Sequence, residues 1–191
     1  MTQKIKGFTL IELLIVIGIL AILATVVVLY LNPAQLLAES RDSQRLSDME
    51  SVRNAINIYL GSTATILFPQ TGTGNCTDVA LPEYWTSVAG GPNPFLAGKT
   101  ENASHSFGVD GTGWVPIDLT QISGGSPLPA LPQDPTATTN NFYSFACSAS
   151  EKRFEVDARL ESEKYTIIDN KGLNDGGDNV DYFESGTKLD L

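Results

Sequence analysis

Histidine, cysteine and positive charge are all scarce in this sequence of 191 residues. His105 is the only histidine, so one chain cannot build a histidine-based metal cluster or a catalytic triad that contains histidine. The two cysteines, Cys76 and Cys147, are too few to make a disulfide framework. The 12 lysines and arginines are outnumbered by 22 acidic residues, and the formal net charge of −10 argues against direct binding of nucleic acid.

Charge is absent altogether from Leu13 to Ala38. Residues 13–31 are nearly all aliphatic, and about 20 such residues span the hydrocarbon core of a bilayer. Lys4 and Lys6 precede this segment, and positive charge on that side keeps the amino terminus in the cytoplasm. The sequence therefore predicts a single pass through the cytoplasmic membrane, with the amino terminus inside and the rest of the chain translocated.

Translocation would place the two cysteines in an oxidising compartment, where pairing is favoured. A bond between Cys76 and Cys147 would close a loop of roughly 70 residues, worth about 4 kcal/mol in the chain-entropy model. The alternative is two buried thiols without a bond. The compartment favours the disulfide.

The chain divides into a short basic start (1–7), an apolar helix (8–31), an amphipathic continuation of that helix (32–61) and a globular β-rich head outside the cytoplasm (62–191). Pro33 should kink or loosen the helix, and Gly61 is placed to end it. Between them, apolar residues recur at spacings of three and four, the pattern of an amphipathic helix. The apolar face comprises Leu46, Met49, Val52, Ile56, Tyr59 and Leu60. The opposite, exposed face comprises Asp42, Arg45, Asp48, Glu50 and Arg53.

Three runs near the carboxyl end resemble β-strands: 141–147 (NFYSFAC), 153–161 (RFEVDARLE) and 165–169 (YTIID). Apolar and charged residues alternate in the second run, as in a strand with one buried and one exposed face. Residues 62–140 hold most of the glycine and proline turn signals and indicate a long elaborated loop. We predict an α+β fold in which the long helix packs on one face of a small antiparallel sheet whose other face is in water.

Glu12 needs an explanation, because a charge at the centre of a bilayer costs roughly 2.5–3.5 kcal/mol. A secretory signal peptide has a shorter apolar core and a small-residue cleavage site, and neither is found here. A single-pass anchor explains the length of the segment but not its acid. Cleavage after Gly7 would instead leave an ammonium group on Phe8. That group could pair with Glu12 of another copy in a staggered bundle of helices and fix their register.

The stretch KGFTLIELLIVIGILAILA resembles the amino-terminal signature of type IV pilins and of the pseudopilins of type II secretion systems. The resemblance covers about residues 4–31 and comprises a basic leader, Gly-Phe-Thr-Leu-Ile-Glu and an uninterrupted apolar helix. It implies the pilin fold. It also implies that a prepilin peptidase cuts between Gly7 and Phe8 and N-methylates Phe8, and that Glu12 serves filament assembly.

The resemblance further implies a structural subunit that is not an enzyme. The monomer would be held in membrane lipid and then join a helical filament of identical copies, with an inner-membrane assembly platform and a cytoplasmic ATPase as partners. Three functions stay open. They are a type IV pilus or related filament outside the cell, a periplasmic pseudopilus that drives protein export by type II secretion, and a membrane-tethered binding domain that never polymerises.

The stretch DNKGLNDGGDNVDYFE, residues 169–184, is dense in oxygen ligands of the kind that Ca²⁺ prefers. Asp175, Asp178 and Asp181 are the predicted calcium ligands, and no other cofactor is predicted. The alternative is an acidic solvated turn, since the spacing does not match an EF-hand. This end, with residues 39–60 and LPQDP at 131–135, resembles the major-pseudopilin branch, in which calcium can lie near the carboxyl terminus.

Overall fold

The computed structural model describes residues 7–63, 65–68, 76, 83–95, 98–102 and 105–191. Residues 1–6 of the predicted leader lie outside this set. The chain forms two compact units, Met1–Ala38 and Glu39–Leu191. Its helices are α1 (Leu10–Leu31), α2 (Pro33–Ser62) and α3 (Lys171–Asn174), with a 3-10 turn at Leu119–Gln121 and a π-helical turn at Lys164–Ile168. Its strands are β1 (Glu83–Thr86), β2 (Thr100–Glu101), β3 (Tyr143–Ser148), β4 (Arg153–Ala158) and β5 (Phe183–Gly186).

The predicted long helix is interrupted once, at Asn32. That residue adopts the left-handed conformation, with φ 41° and ψ 77°, which asparagine tolerates better than most side chains. Pro33 then starts α2, where its missing N–H leaves no helical hydrogen bond unmade. At the other end, α2 continues to Ser62, one residue beyond the predicted stop at Gly61.

From Glu39 onward, α2 buries one stripe of side chains in the core of the second unit. Met49, Val52, Ile56 and Tyr59 are fully buried there, so the predicted amphipathic helix is confirmed. The prediction that Asp42 and Arg45 lie on the exposed face is wrong, because both are 0% exposed. Their spacing continues the buried stripe by one and two turns, and burial follows that helical spacing rather than polarity.

The sheet has the strand order β2-β1-β3-β4-β5. The neighbouring pairs are antiparallel except β1 with β2, which run parallel over a short register. One face of the sheet presents Phe145, Cys147, Phe154 and Val156 to the core residues of α2. The long helix and the mostly antiparallel sheet confirm the predicted α+β arrangement, which is consistent with the pilin fold.

Two strand-level predictions are wrong. Residues 165–169 are not a strand; Lys164–Ile168 form a π-helical turn, because Asp169 donates its backbone N–H to the carbonyl of Lys164, five residues earlier, at 2.7 Å. The second face of the sheet is not in water either, since Glu155 and Asp157 are each 1% exposed. Tyr84, Phe95, Ala146 and Leu191 form a second, smaller apolar cluster. Leu191 donates its N–H to Glu155 Oε2 at 2.8 Å, so this cluster lies beside the second face.

Arg45 joins α2 to two distant parts of the head. Its guanidinium makes a two-pronged contact with Asp134, at 2.6 Å and 3.0 Å, and donates to Asp42 and Glu161 at 2.7 Å each. Asp42 in turn accepts the backbone N–H groups of Glu161 and Ser162. Burial would raise the pKa of Asp134, but the hydrogen bonds from Arg45 and Thr136 outweigh it and hold that pKa below its usual value.

Removing the Arg45 guanidinium should destabilise the head strongly. Arg45→Ala leaves Asp42 and Asp134 buried without their cation, and breaking a buried ion pair typically costs about 3–5 kcal/mol. The measurement is urea unfolding of the full chain in detergent, followed by tryptophan fluorescence. Arg53→Ala is the control, because the Arg53–Glu50 pair is at the surface and should be worth below about 1 kcal/mol. Equal losses in the two variants would contradict the role assigned to Arg45.

Candidate functional site

The first helix begins with a reciprocal cap built from Thr9 and Glu12. Glu12 donates its backbone N–H to Thr9 Oγ1 at 3.3 Å, while Glu12 Oε2 accepts from both the backbone N–H and the hydroxyl of Thr9 at 2.8 Å. This is a capping box, which satisfies amide groups that the first helical turn leaves free. This cap was not predicted, although the Thr-x-x-Glu spacing before an apolar run is its sequence signal.

The predicted processing site lies just before this cap. Gly7 and Phe8 are exposed, and no atom of the described residues lies within 4 Å of the place where a Gly7 side chain would begin. Both capping bonds from Thr9 end on the same oxygen of Glu12, so Oε1 accepts none from the part of the chain that the structure describes. Glu12 is thus held at the helix start with one carboxylate oxygen available to another molecule.

Helix α1 has no buried residue, although nearly all its side chains are apolar. Among the described residues, it is the one helix that is long and apolar enough to cross a membrane, judged by length and composition. Exposure of this much apolar surface to water is unfavourable, so α1 needs lipid or other helices around it.

The head contains a disulfide between Cys76 and Cys147, which are 71 positions apart in the chain. Cys147 lies on β3 and both cysteines belong to the apolar core. The bond therefore ties Cys76, which belongs to the long loop, to the central strand of the sheet.

Acidic side chains gather on the face of the sheet that points away from α2. Oxygens of Glu155 on β4, Glu184 on β5 and Asp178 in the loop before β5 all lie within 4.8 Å of one another. Asp157 lies directly opposite Glu184 across the β4–β5 pair. Glu184 Oε1 accepts the N–H of Asn179 at 2.8 Å, but Glu184 Oε2 and Asp157 Oδ1 are buried with no hydrogen-bond partner among the described residues.

Burial is the main influence on the charge of this cluster. It raises the pKa of Glu155 to about 8, with a further contribution from the charge of Glu184, and it raises the pKa of Glu184 to about 7. The pKa of Asp157 is also raised well above its ordinary value, chiefly by burial and then by the neighbouring carboxylates. Lys99 is the nearby cation, and burial lowers its pKa to about 8. The carboxylates of this cluster therefore outnumber the cations that the described residues place near them.

The predicted calcium ligands fall in different surroundings. Asp178 is part of the three-carboxylate group. Asp175 instead accepts the backbone N–H groups of Gly177 and Glu184, at 3.0 Å and 2.7 Å, and shapes the loop. Asp181 is not a member of the group. Glu155 was not predicted because strand alternation assigned it to a solvent face. Glu184 lies in the acidic stretch 169–184 but was not among the three residues predicted as ligands.

The amino-terminal segment of the chain matches a known sequence motif. Residues 2–28 match the model of the prokaryotic N-terminal methylation motif, which is the signature of type IV pilins and pseudopilins. Neither a curated protein nor a solved structure matches the chain. The recognised signature is confirmed, whereas the major-pseudopilin branch stays a prediction.

The motif supports a pilin-like or pseudopilin precursor. It implies processing by a prepilin peptidase and filament assembly in general, and the apolar helix that carries it is compatible with membrane anchoring. It does not distinguish a pilus from a secretion filament.

The buried acids should make the head less stable as pH rises. The folded state keeps protons on Glu155 and Glu184 up to pH about 7–8, whereas an ordinary glutamate releases its proton near 4.5. The folded state therefore binds more protons across this window, and the free energy of unfolding should fall as pH rises from about 4.5 to about 8. Urea unfolding of chelator-treated protein measures the slope. Glu184→Gln should flatten it and Glu151→Gln, at an exposed acid, should not; a wild-type slope of zero would contradict this account.

Proposed function

We propose that this chain is the precursor of a structural filament subunit without catalytic activity of its own. The observation that carries the proposal is the methylation motif at residues 2–28, placed on a helix whose apolar surface is entirely unburied. A peptidase would hydrolyse the Gly7–Phe8 peptide bond, and methyl transfer from an external donor would leave a methylated ammonium on Phe8. The monomer would stay anchored in the cytoplasmic membrane through α1.

Assembly would exchange lipid around α1 for the α1 helices of other copies, so that the apolar surface stays out of water throughout. An inner-membrane platform and a cytoplasmic ATPase would drive this exchange, which delivers the filament outside the cell or into the periplasm. The head domains would form the outer coat.

Glu12 would then have two roles in succession. In the monomer, its Oε2 caps α1 through Thr9. In the filament, its charge would meet the Phe8 ammonium of a neighbouring copy, and each staggered helix would be held in register by that pair. A buried ion pair need not add net stability, but it disfavours every register that leaves its charges unpaired.

Substitutions at Glu12 and Thr9 can separate the cap from the charge. Glu12→Gln keeps an oxygen that accepts from Thr9, so the cap survives, but the charge is lost. Thr9→Ala removes the hydroxyl that accepts from Glu12 and leaves the charge. We expect Glu12→Gln to lower filament yield at least roughly tenfold, since the Phe8 ammonium would stay unpaired in the bundle. Thr9→Ala should assemble.

Filament yield is measured by electron microscopy and by sedimentation of sheared or detergent-released fibres. Leader removal and membrane insertion are checked in the same cells by gel mobility and by extraction. Normal fibres from Glu12→Gln would contradict the ion-pair mechanism. Long surface fibres would favour the pilus, whereas loss of protein export with short periplasmic filaments would favour the pseudopilus. Inserted protein that never forms fibres would support the tethered domain instead.

We also propose that the head binds Ca²⁺ at Glu155, Asp178 and Glu184. The residues fit a hard cation because three carboxylates converge and Glu184 Oε2 is buried with no hydrogen-bond partner in the part of the chain that the structure describes. Gly177 leaves room for this carboxylate, since a side chain there would overlap Glu184. A bound cation would balance the negative charge of the carboxylates, which Lys99 alone does not balance.

Calcium binding can be tested with ligand-set variants of the full chain in detergent. Added Ca²⁺ should raise the unfolding midpoint, and Glu184→Gln should weaken binding at least roughly tenfold by removing a charged ligand. Asp181→Asn is the matched control and should bind normally. Calorimetric titration after chelator treatment gives the affinities. Loss of binding in Asp181→Asn but not in Glu184→Gln would overturn the assigned ligand set.

A further inference from the structure

Exposed apolar residues of the head are concentrated near one short segment. Among the described residues from Glu39 onward, the large apolar side chains that stay exposed are Ile58, Leu67, Ile167, Ile168, Leu173 and Val180. Ile167 and Ile168, adjacent on the π-helical turn, are 73% and 80% exposed and lead this group. Two neighbouring, almost fully exposed isoleucines on an ordered turn indicate a surface that something else covers.

Several contacts fix this turn to the first residues of the head. Lys164 Nζ lies 3.5 Å from Glu39 Oε2, and the hydroxyl of Tyr165 lies 3.5 Å from that of Ser43. Just before the turn, Glu161 contacts Arg41. The isoleucines follow within one turn of Lys164. They therefore lie at the end of the head where the chain arrives from its membrane-spanning segment.

The length of chain between the membrane and this turn is short. Residues 32–38 separate Leu31, the last residue of α1, from Glu39. At 1.5 Å per residue in a helix, that is about 12 Å from the end of the membrane span. The headgroup layer on each side of a bilayer is roughly 5–8 Å thick. Because residues 33–38 belong to α2, the Glu39 end of the head is within about 12 Å of the end of the span and so is close to the lipid surface.

We propose that Ile167 and Ile168 insert into the outer surface of the membrane that anchors the unassembled subunit. The flanking residues suit that position. Lys164 lies 4.9 Å from the ring centre of Tyr165, and lysine and tyrosine both favour the membrane–water boundary. The inference rests on the proposed membrane anchoring and adds a second, reversible contact of the head with lipid.

The contact is apolar rather than electrostatic. Lys164 is paired with Glu39 and Lys171 with Asp169, so neither offers an uncompensated charge. The chain as a whole carries a net charge of −10, which opposes attraction to anionic lipid. Neutral phosphatidylcholine is therefore sufficient, and anionic lipid should not strengthen the contact.

Tryptophan reporters in the full chain can measure the contact. Ile168→Trp, Ile58→Trp and Tyr30→Trp are each reconstituted at low density in phosphatidylcholine vesicles, with or without bromine on the upper acyl chain, which quenches nearby indoles. Ile58 is another exposed isoleucine, near the far end of α2. Ile58→Trp therefore controls for the general preference of tryptophan for membranes. Tyr30, near the end of α1, reports insertion of the anchor.

We expect added quenching of about twofold or more for Ile168→Trp and Tyr30→Trp and none for Ile58→Trp, with no increase when anionic lipid is included. Quenching of Tyr30→Trp alone would overturn the surface contact while leaving the anchor intact. Absence of quenching in both would contradict the anchor as well. Shielding of Ile168→Trp that appears only at high protein density would assign the surface to a second copy and overturn the proposal.

Discussion

The head depends on one cation, the guanidinium of Arg45. It lies on the buried stripe of α2 and joins that helix to Asp134 and Glu161, which come from two separate parts of the head. Apolar packing alone could let α2 slide along the sheet, whereas a two-pronged ion pair has one geometry.

The two buried acidic clusters of the head differ in how their charge is balanced. Around Arg45, three carboxylates meet two arginines and several backbone N–H groups, so the pKa of Asp134 is lowered. On the far face of the sheet, Glu155 has Lys99 as a nearby cation, and burial raises the pKa values of both Glu155 and Glu184. In the first cluster, the arginines and backbone N–H groups of the head itself balance the carboxylate charge. The second cluster lacks that balance, which is why we propose that it takes up protons or a cation.

Local features of this protein could be predicted from sequence, and features that depend on distant partners could not. The Gly7–Glu12 signature and the stripe from Met49 to Tyr59 are local, and both were recognised. Arg45 was assigned to the surface because its partners are 89 and 116 positions away.

Residues that are distant in sequence also bury the acidic side chains on the second face of the sheet. Glu155 was expected in water because strand alternation cannot show what covers the second face of a sheet. Leu191, which donates a hydrogen bond to Glu155 from 36 positions further along the chain, is part of that covering.

The most direct test of the proposed processing is the mass of the amino-terminal peptide of the protein isolated from its membrane. We expect a chain that begins at Phe8 and carries one methyl group on its amine; a mature chain that retains residues 1–7, or begins elsewhere, would contradict the proposed processing.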